Sequence, residues 1–305
     1  VITDVPTSQE FYTSAEKLLC LAWDSAAGFF VHLDEFTSQV GPDDVEEDQY
    51  WAAAQTNLLN AFVLLQQAAE FFLKSEICSV SPYLLIKNDP SKWPRSDAGN
   101  GVPFSKFRTV DAEDLLKIHS VACATQLNDD LRRELSDIRE IRNRISHTVD
   151  SSLRLTALEI VTTTLRLSHA FSSGRAWIEI AKRHIDAPFA NLYGNDDNNV
   201  GVARQLESVL KRLAPADTLK YFGFNNRARA YTCPGCYFGS DWSEWDYSPE
   251  FAQLTPLRSS KAKNVHCIYC GETSSIVRRK CTTADCLSNV ISTEHDACLK
   301  CMRTQ

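Results

Sequence analysis

The sequence predicts a mostly α protein: an antiparallel helical bundle over residues 1–193, a linker and connecting helix over 194–230, and a small cysteine-rich α+β domain over 231–305. Three observations predict it. Apolar residues recur at three- and four-residue steps through most of the first 200 positions, the stripe of amphipathic helices. Eight of the eleven cysteines fall after residue 232. From about Thr218 onward the helical period gives way to short aromatic and cysteine-rich stretches.

The elements follow in order. Thr7-x-x-Glu10 is a capping-box pattern opening a helix that reads to about Phe36. Gly41-Pro42 breaks the chain. Asp43, Asp44, Glu46, Glu47 and Asp48 then stand at the positive end of a second, long helix that should stop near Ser79-Val80-Ser81-Pro82. Residues 88–110, rich in Pro, Gly, Asn and Ser, read as the longest loop of the first half. A third helix spans about Asp111 to Thr125, and Asn128 or Asp129 caps a fourth. Asp150, Ser151 or Ser152 should cap a fifth reaching Phe171. Ser172-Ser173-Gly174 separates it from a short helix ending near Ile185. Gly194 to Asn199 reads as a linker, followed by one helix over about Gly201 to Leu213.

Bulk properties bound the class. With 44% apolar and 23% charged residues the chain reads as an ordinary globular protein. No uncharged apolar run approaches membrane-spanning length, and Asp4 and Glu10 stand where a signal peptide needs basic residues. The net charge of −7 divides unevenly: 18 Lys+Arg against 29 Asp+Glu in residues 1–200, and 14 against 10 in residues 201–305. Cysteines crowded at CxxC spacing, with most of the chain left without them, suit metal ligands in the cytoplasm rather than secreted disulfides.

Cys233-Pro-Gly-Cys236 and Cys267-Ile-Tyr-Cys270-Gly271 have the form of two zinc knuckles, in which a tight turn presents two thiolates to one ion. Cys281-x4-Cys286 and Cys298-x2-Cys301 supply four more thiolates, so two structural Zn2+ ions per chain are expected. Pairing along the chain is the simpler topology, and an interleaved pairing is open. His266 and His295 are read as neighbours rather than ligands. The region should fold only with metal bound. Arg278-Arg279-Lys280, together with Tyr231, Tyr237, Phe238, Trp242, Trp245 and Tyr247, suits single-stranded nucleic acid, whereas Asp241, Glu244 and Asp246 oppose a simple phosphate groove. A small zinc domain packing on the bundle or on a protein partner fits equally.

One segment points to chemistry. In the fourth helix Leu131, Leu135, Ile138, Ile141 and Ile145 form an apolar stripe, and Arg142 projects within it. A guanidinium there needs a carboxylate, a phosphate or a partner surface. Arg142-Asn143-Arg144-Ile145-Ser146-His147 then ends the helix. An arginine can grip phosphate oxygens, and a histidine titrates in the range useful for proton transfer. At about 100° per residue, five positions put Arg142 and His147 about 140° apart, so they do not share a face of one continuous helix. Either the helix ends near Ser146 and His147 swings back, or two chains contribute. The structural alternative pairs Arg142 with Asp137, Glu140 or a carboxylate on the second helix, with His147 as a cap. Glu70 is a candidate orienting group, and His119, His169 and His184 read as packed or surface residues.

On Arg142, Asn143 and His147, set at the end of a fourth helix after the long helix carrying Glu70-Phe71-Phe72-Leu73-Lys74, residues 8–190 resemble the HEPN superfamily. Many of its members are metal-independent ribonucleases in toxin–antitoxin, CRISPR and anti-phage systems. The resemblance implies an endoribonuclease needing no catalytic metal, with 2′-hydroxyl attack leaving a 2′,3′-cyclic phosphate. Catalysis would rest on Arg142, Asn143 and His147 brought together in a homodimer. It also implies RNA as substrate, and an antitoxin or a phage-derived trigger as restraint. The competing expectation is a non-catalytic adaptor that binds protein or nucleic acid through its zinc domain.

Overall fold

The structure, a computed structural model, describes residues 1–42, 46–95, 100–147, 152–172, 174–185, 196–239, 242 and 247–305; for His147, Ile185 and residues 196–199 it describes the backbone alone. Contacts divide the chain into two units, Val1–Phe29 with Phe36–Ser173 and Phe30–Glu35 with Gly174–Gln305.

The first unit is helical. Helix α1 (Ser8–Val40) opens on the expected capping box, in which the Thr7 hydroxyl accepts from the Glu10 N–H and the Glu10 carboxylate accepts from the Thr7 N–H. Helix α2 (Glu47–Val80) has Glu47 and Asp48 in its first turn, complementing the helix dipole; Asp43 and Asp44 lie outside the described residues. These two helices run antiparallel. Ser8 meets Ser75 at 3.0 Å near one end, and the Tyr50 hydroxyl donates to the Phe29 carbonyl at 2.7 Å near the other. Between those ends Phe11 and Tyr12 meet Phe71 and Phe72 edge to face.

Helices α3 (Ala112–Ala122), α4 (Asp129–His147) and α5 (Ala157–Phe171) pack on α2, which makes α2 the central helix of the unit. The Asn128 side chain caps α4 by accepting from the Leu131 N–H at 2.8 Å. The expectation of an antiparallel bundle needs one correction. Gln55 bonds both backbone groups of Leu155 at one end of α5, and Phe72 stacks on Phe171 at the other. Helix α5 therefore runs parallel to α2, because two intervening helices carry the chain back to where α2 began.

The cap of α5 also differs. Asp150 and Ser151 lie outside the described residues, and the helix starts only after Thr156, whose hydroxyl and N–H are bonded reciprocally with Glu159. A two-sided box competes well against a single capping side chain, and the preceding Leu153 and Leu155 are buried ahead of the helix. The stretch expected as a long loop is partly built in. Ile2–Thr3 (β1) pairs with Val102–Pro103 (β2), and Phe104 and Phe107 are buried. Gly101 is required there, since a Cβ would come within 2.4 Å of the Thr3 methyl.

In the second unit α6 (Trp177–Ile185), α7 (Asp196–Arg212) and α8 (Pro215–Phe222) precede a short helix α9 (Pro234–Gly239). The expected linker is helical from Asp196, where acidic residues favour a helix N-terminus; Gly194 and Asn195 lie outside the described residues. Helix α8 was not anticipated, although Pro215 at its first position and Gly223 at φ 66° after its end mark it. Four antiparallel strands follow in sequence order: β3 (Ala252–Thr255), β4 (Asn264–Cys267), β5 (Thr273–Val277) and β6 (Ile291–Ser292). Among the described residues no helix is long and apolar enough to cross a membrane.

Candidate functional site

The sheet register assembles the first cysteine cluster. Tyr231 bridges to Ala252, and Ala252 pairs with Cys267, so the segment entering Cys233 lies across β3 from the end of β4. Cys267 to Cys270 is the turn of the β4–β5 hairpin, and Cys233 to Cys236 enters α9. Gly235 leaves room inside that turn, where a Cβ would meet the Glu272 carboxylate at 2.6 Å. Gly271 takes φ 76° and donates its N–H to the Cys267 carbonyl at 2.9 Å. On the far side of the knuckle the Lys182 ammonium of α6 donates to the Tyr269 carbonyl at 2.6 Å and lies 3.7 Å from the ring centroid of the same tyrosine.

The second cluster grows from the end of the sheet. Cys298 bridges to Ile291, and the Cys281 N–H donates to the Ser288 carbonyl at 3.0 Å. Asp285 at φ 63° turns the four-residue loop between Cys281 and Cys286, a conformation aspartate tolerates. The pairing is the one along the chain: Cys233, Cys236, Cys267 and Cys270 form one group, and Cys281, Cys286, Cys298 and Cys301 the other, with the sulfurs of each within 4.8 Å of one another.

Sulfur spacing tests whether an ion fits. Zn–S bonds of about 2.3 Å in a tetrahedron give S···S edges of about 3.8 Å. Cys233 and Cys270 are 3.7 Å apart, Cys236 and Cys267 3.9 Å, Cys281 and Cys301 3.7 Å, and Cys286 and Cys298 3.8 Å. Both groups can therefore hold metal ions, and both are compatible with zinc. Crowding alone leaves the first cluster divided. Hydrogen bonding with Cys233, Cys267 and Cys270, and then burial, pushes the Cys236 thiol up, while bonds with Cys233, Cys236 and Cys267 hold the Cys270 thiol below its usual range. A divalent cation removes that division by accepting four thiolates at once. His266 bonds Thr273 and His295 stacks on Phe238, so neither histidine enters a cluster.

The helical motif has a different character. Leu135 and Ile138 are buried, and Ile141, Arg142 and Ile145 are half-buried on the same helix. Helix α4 stays helical through His147, so the backbone does not bend back at Ser146. Among the described residues Arg142 makes no ion pair. Its one hydrogen bond runs from Nη1 to the Asn143 side-chain oxygen at 3.3 Å, and its Nε is buried without a partner. Asp137 and Glu140 do not pair with it. Glu70, expected as an orienting group, bonds instead to Gln66 and pairs with Lys74 at 3.6 Å on its own helix. Asn143 is exposed, and the side chain of His147 lies outside the described residues. His119 is a packed residue, 1% exposed and 2.5 Å from Glu76.

No family model, no curated protein and no solved structure matches this chain.

The expected aromatic and basic surface is largely absorbed into structure. Tyr231 and Trp242 are 2% exposed, and Trp242, Tyr247, Phe251 and Tyr269 form one aromatic cluster. Arg279 pairs with Asp296 at 2.5 Å, whereas Arg278 is half-buried with its Nε and Nη1 bonded to nothing. Phe238 remains exposed, while Asp241, Glu244, Trp245 and Asp246 lie outside the described residues. Sequence reasoning missed a second set of cations, Arg229, Lys300 and Arg303, which line an open cleft of about 530 Å³ beside Cys286 and Cys301. The spacing of Lys300 and Arg303 around Cys301 was visible, but their meeting with Arg229 depends on tertiary structure.

Proposed function

We propose that the chain is a metal-independent endoribonuclease of HEPN type, acting as a homodimer, with its zinc-binding region serving recognition or regulation. The observation that carries this reading is the unpaired Arg142. A half-buried guanidinium with a desolvated Nε and no carboxylate is costly to keep. An ion-pair role leaves nothing of that kind behind, whereas an anion arriving from solution, or from a second protomer's site, would satisfy it. Arg142 would hold the non-bridging oxygens of the scissile phosphate and stabilise charge on the phosphorane. Asn143, beside it, would position the guanidinium or the phosphate. His147 stands in the last turn of α4 and would protonate the leaving 5′-oxygen. With α4 continuous to His147, the two residues would meet across a two-fold axis rather than within one chain. Toxin or anti-phage activity, and an antitoxin or phage-derived trigger, fit such an enzyme.

The test uses the full-length chain in EDTA, after metal content is verified to survive the treatment. RNA cleavage with 2′,3′-cyclic phosphate ends is expected from the wild type and lost in His147→Ala and Arg142→Ala. A wild type that cuts no RNA, or variants that cut as well as it does, would leave the non-catalytic adaptor as the better description.

A further inference from the structure

The cleft beside the second cysteine cluster has a built charge pattern. Lys300 lies inside the Cys298–Cys301 knuckle, and Arg303 follows it by three residues, fixed by the Cys298 N–H donating to the Arg303 carbonyl and by the Ala297–Thr304 bridge. Arg229 reaches the same cleft from the segment before Tyr231. A second groove, of about 700 Å³, shares Arg229 and Lys300 with the first and continues past Lys211 and Asn226. Much of the charge there is matched, since Lys300 pairs with Glu250 and Lys211 with Glu207. Arg229 and Arg303 are exposed, and among the described residues their guanidinium groups have no carboxylate. Among the described residues Asp285 is the one acidic residue lining the first cleft. Leu287, 86% exposed, stands on the same wall as an apolar surface.

We propose that this cleft binds the phosphodiester backbone of single-stranded RNA, with Arg229 and Arg303 as the phosphate contacts. The proposal rests on the ribonuclease reading only for the choice of RNA as the polyanion. Two grooves joined through shared residues suit a chain-like ligand, and cations set inside a concavity admit a single strand more readily than a duplex. Arginine planes also offer stacking to unpaired bases, and Leu287 offers them an apolar contact. Two of the three cations hang from the loop that the second cluster closes, so metal at that cluster holds the binding surface in place.

The experiment uses full-length, metal-loaded protein carrying His147→Ala, so that bound RNA survives. A fluorescein-labelled single-stranded RNA of about 15 nucleotides, near the site sizes of such grooves, is titrated by anisotropy at several KCl concentrations. Arg229→Gln with Arg303→Gln is expected to weaken binding about tenfold or more and to lower the salt slope by about 1.4, two single-strand phosphate contacts. Arg229→Lys with Arg303→Lys should retain most of the affinity. Binding by the Gln pair within twofold of its parent, at unchanged metal content, overturns the proposal, as does equal competition by a polyglutamate peptide. The two readings fail separately. RNA bound through the cleft but never cut by the His147-containing protein removes the nuclease alone, and cutting that ignores both arginines removes the cleft alone.

Discussion

Gly271 and Met302 hold equivalent places in two cysteine turns. Each follows a Cys-x-x-Cys pair, each has positive φ (76° and 54°), and each donates its N–H to the carbonyl of the first cysteine of that pair, at 2.9 and 2.8 Å. The geometry belongs to the knuckle, so the residue must accept it, and only glycine does so without steric cost. Met302→Gly should therefore raise resistance of the metal-loaded protein to urea by up to about 1 kcal/mol, part of the relief being offset by glycine's freedom in the unfolded chain. Gly271→Ala should lower it by about 1 kcal/mol or more. If Met302→Gly destabilises as much as Gly271→Ala, the two positions are not equivalent.

Arg142 gives an opposite pair of effects. Removing a partner from a buried ion pair costs about 3–5 kcal/mol, but the Arg142 Nε is buried and bonded to nothing. Arg142→Met should thus be neutral or stabilise by about 1 kcal/mol, as relief of an unsatisfied donor, while abolishing RNA cleavage. Chemical denaturation and a cleavage assay on the same preparation check both halves. A loss of several kcal/mol would assign the arginine to the fold and not to a substrate.

How much was legible depended on whether a signal was local. Capping boxes act within four residues, so Thr7 and Glu10 could be read directly, as could the Cys-x-x-Cys turns that a single ion needs. Thr156 and Glu159 carry the same local pattern, but in sequence the Asp150, Ser151 and Ser152 side chains just before them compete for the same role. The parallel run of α5 beside α2 depends on where two other helices turn, which no short pattern encodes. The cleft cations illustrate the same limit, since Arg229 and Arg303 are 74 positions apart in sequence. For Arg142 the helical period located the residue in an apolar stripe, yet only the packed structure shows that no carboxylate among the described residues reaches it.

Thr156 supplies a test of that overlooked signal. Its hydroxyl accepts from the Glu159 N–H at 3.1 Å, and the Glu159 carboxylate accepts from the Thr156 N–H at 2.7 Å. Thr156→Ala should cost about 1 kcal/mol, as loss of an N-cap usually does. Ser152→Ala should cost far less in the same urea titration. Equal effects would return the start of α5 to the upstream residues.

Asp34 predicts a pH dependence in the second unit. Burial pushes its carboxyl up, but hydrogen bonds from Arg212 and Ser208 and the charges of Arg212 and Lys211 outweigh that and hold it below the usual carboxylate range. Arg212 reaches it in a fork, 2.5 Å to one oxygen and 3.2 Å to the other. A depressed folded pKa contributes stability that is fully present above the unfolded value of about 3.9 and lost as pH falls through the folded value. Asp34→Asn should cost about 1 kcal/mol at pH 7, a figure kept low because the pair is partly exposed and screened. The gap between variant and wild type should narrow below about pH 4. A gap that persists at pH 3 would mean that the carboxylate charge is not what stabilises this contact.

Metal removal should proceed in two stages. In the first cluster Cys233, Cys236 and Cys267 are buried, whereas in the second both Cys286 and Cys301 are half-exposed and line the open cleft. A thiol-reactive mercurial has to reach sulfur before an ion can leave, so access sets the order. Two metal ions per chain are expected, released in two phases, the second cluster at least about tenfold faster, equivalent to about 1.4 kcal/mol in the barrier. Cys286→Ser should remove the fast phase alone and Cys267→Ser the slow one. Far-ultraviolet dichroism should keep the helical signal of α1 to α5 throughout, because none of those helices supplies a ligand. A single phase, or one ion per chain, would contradict two independent centres. Loss of the helical signal together with the first ion would show instead that the bundle depends on the metal-bound region for its folding.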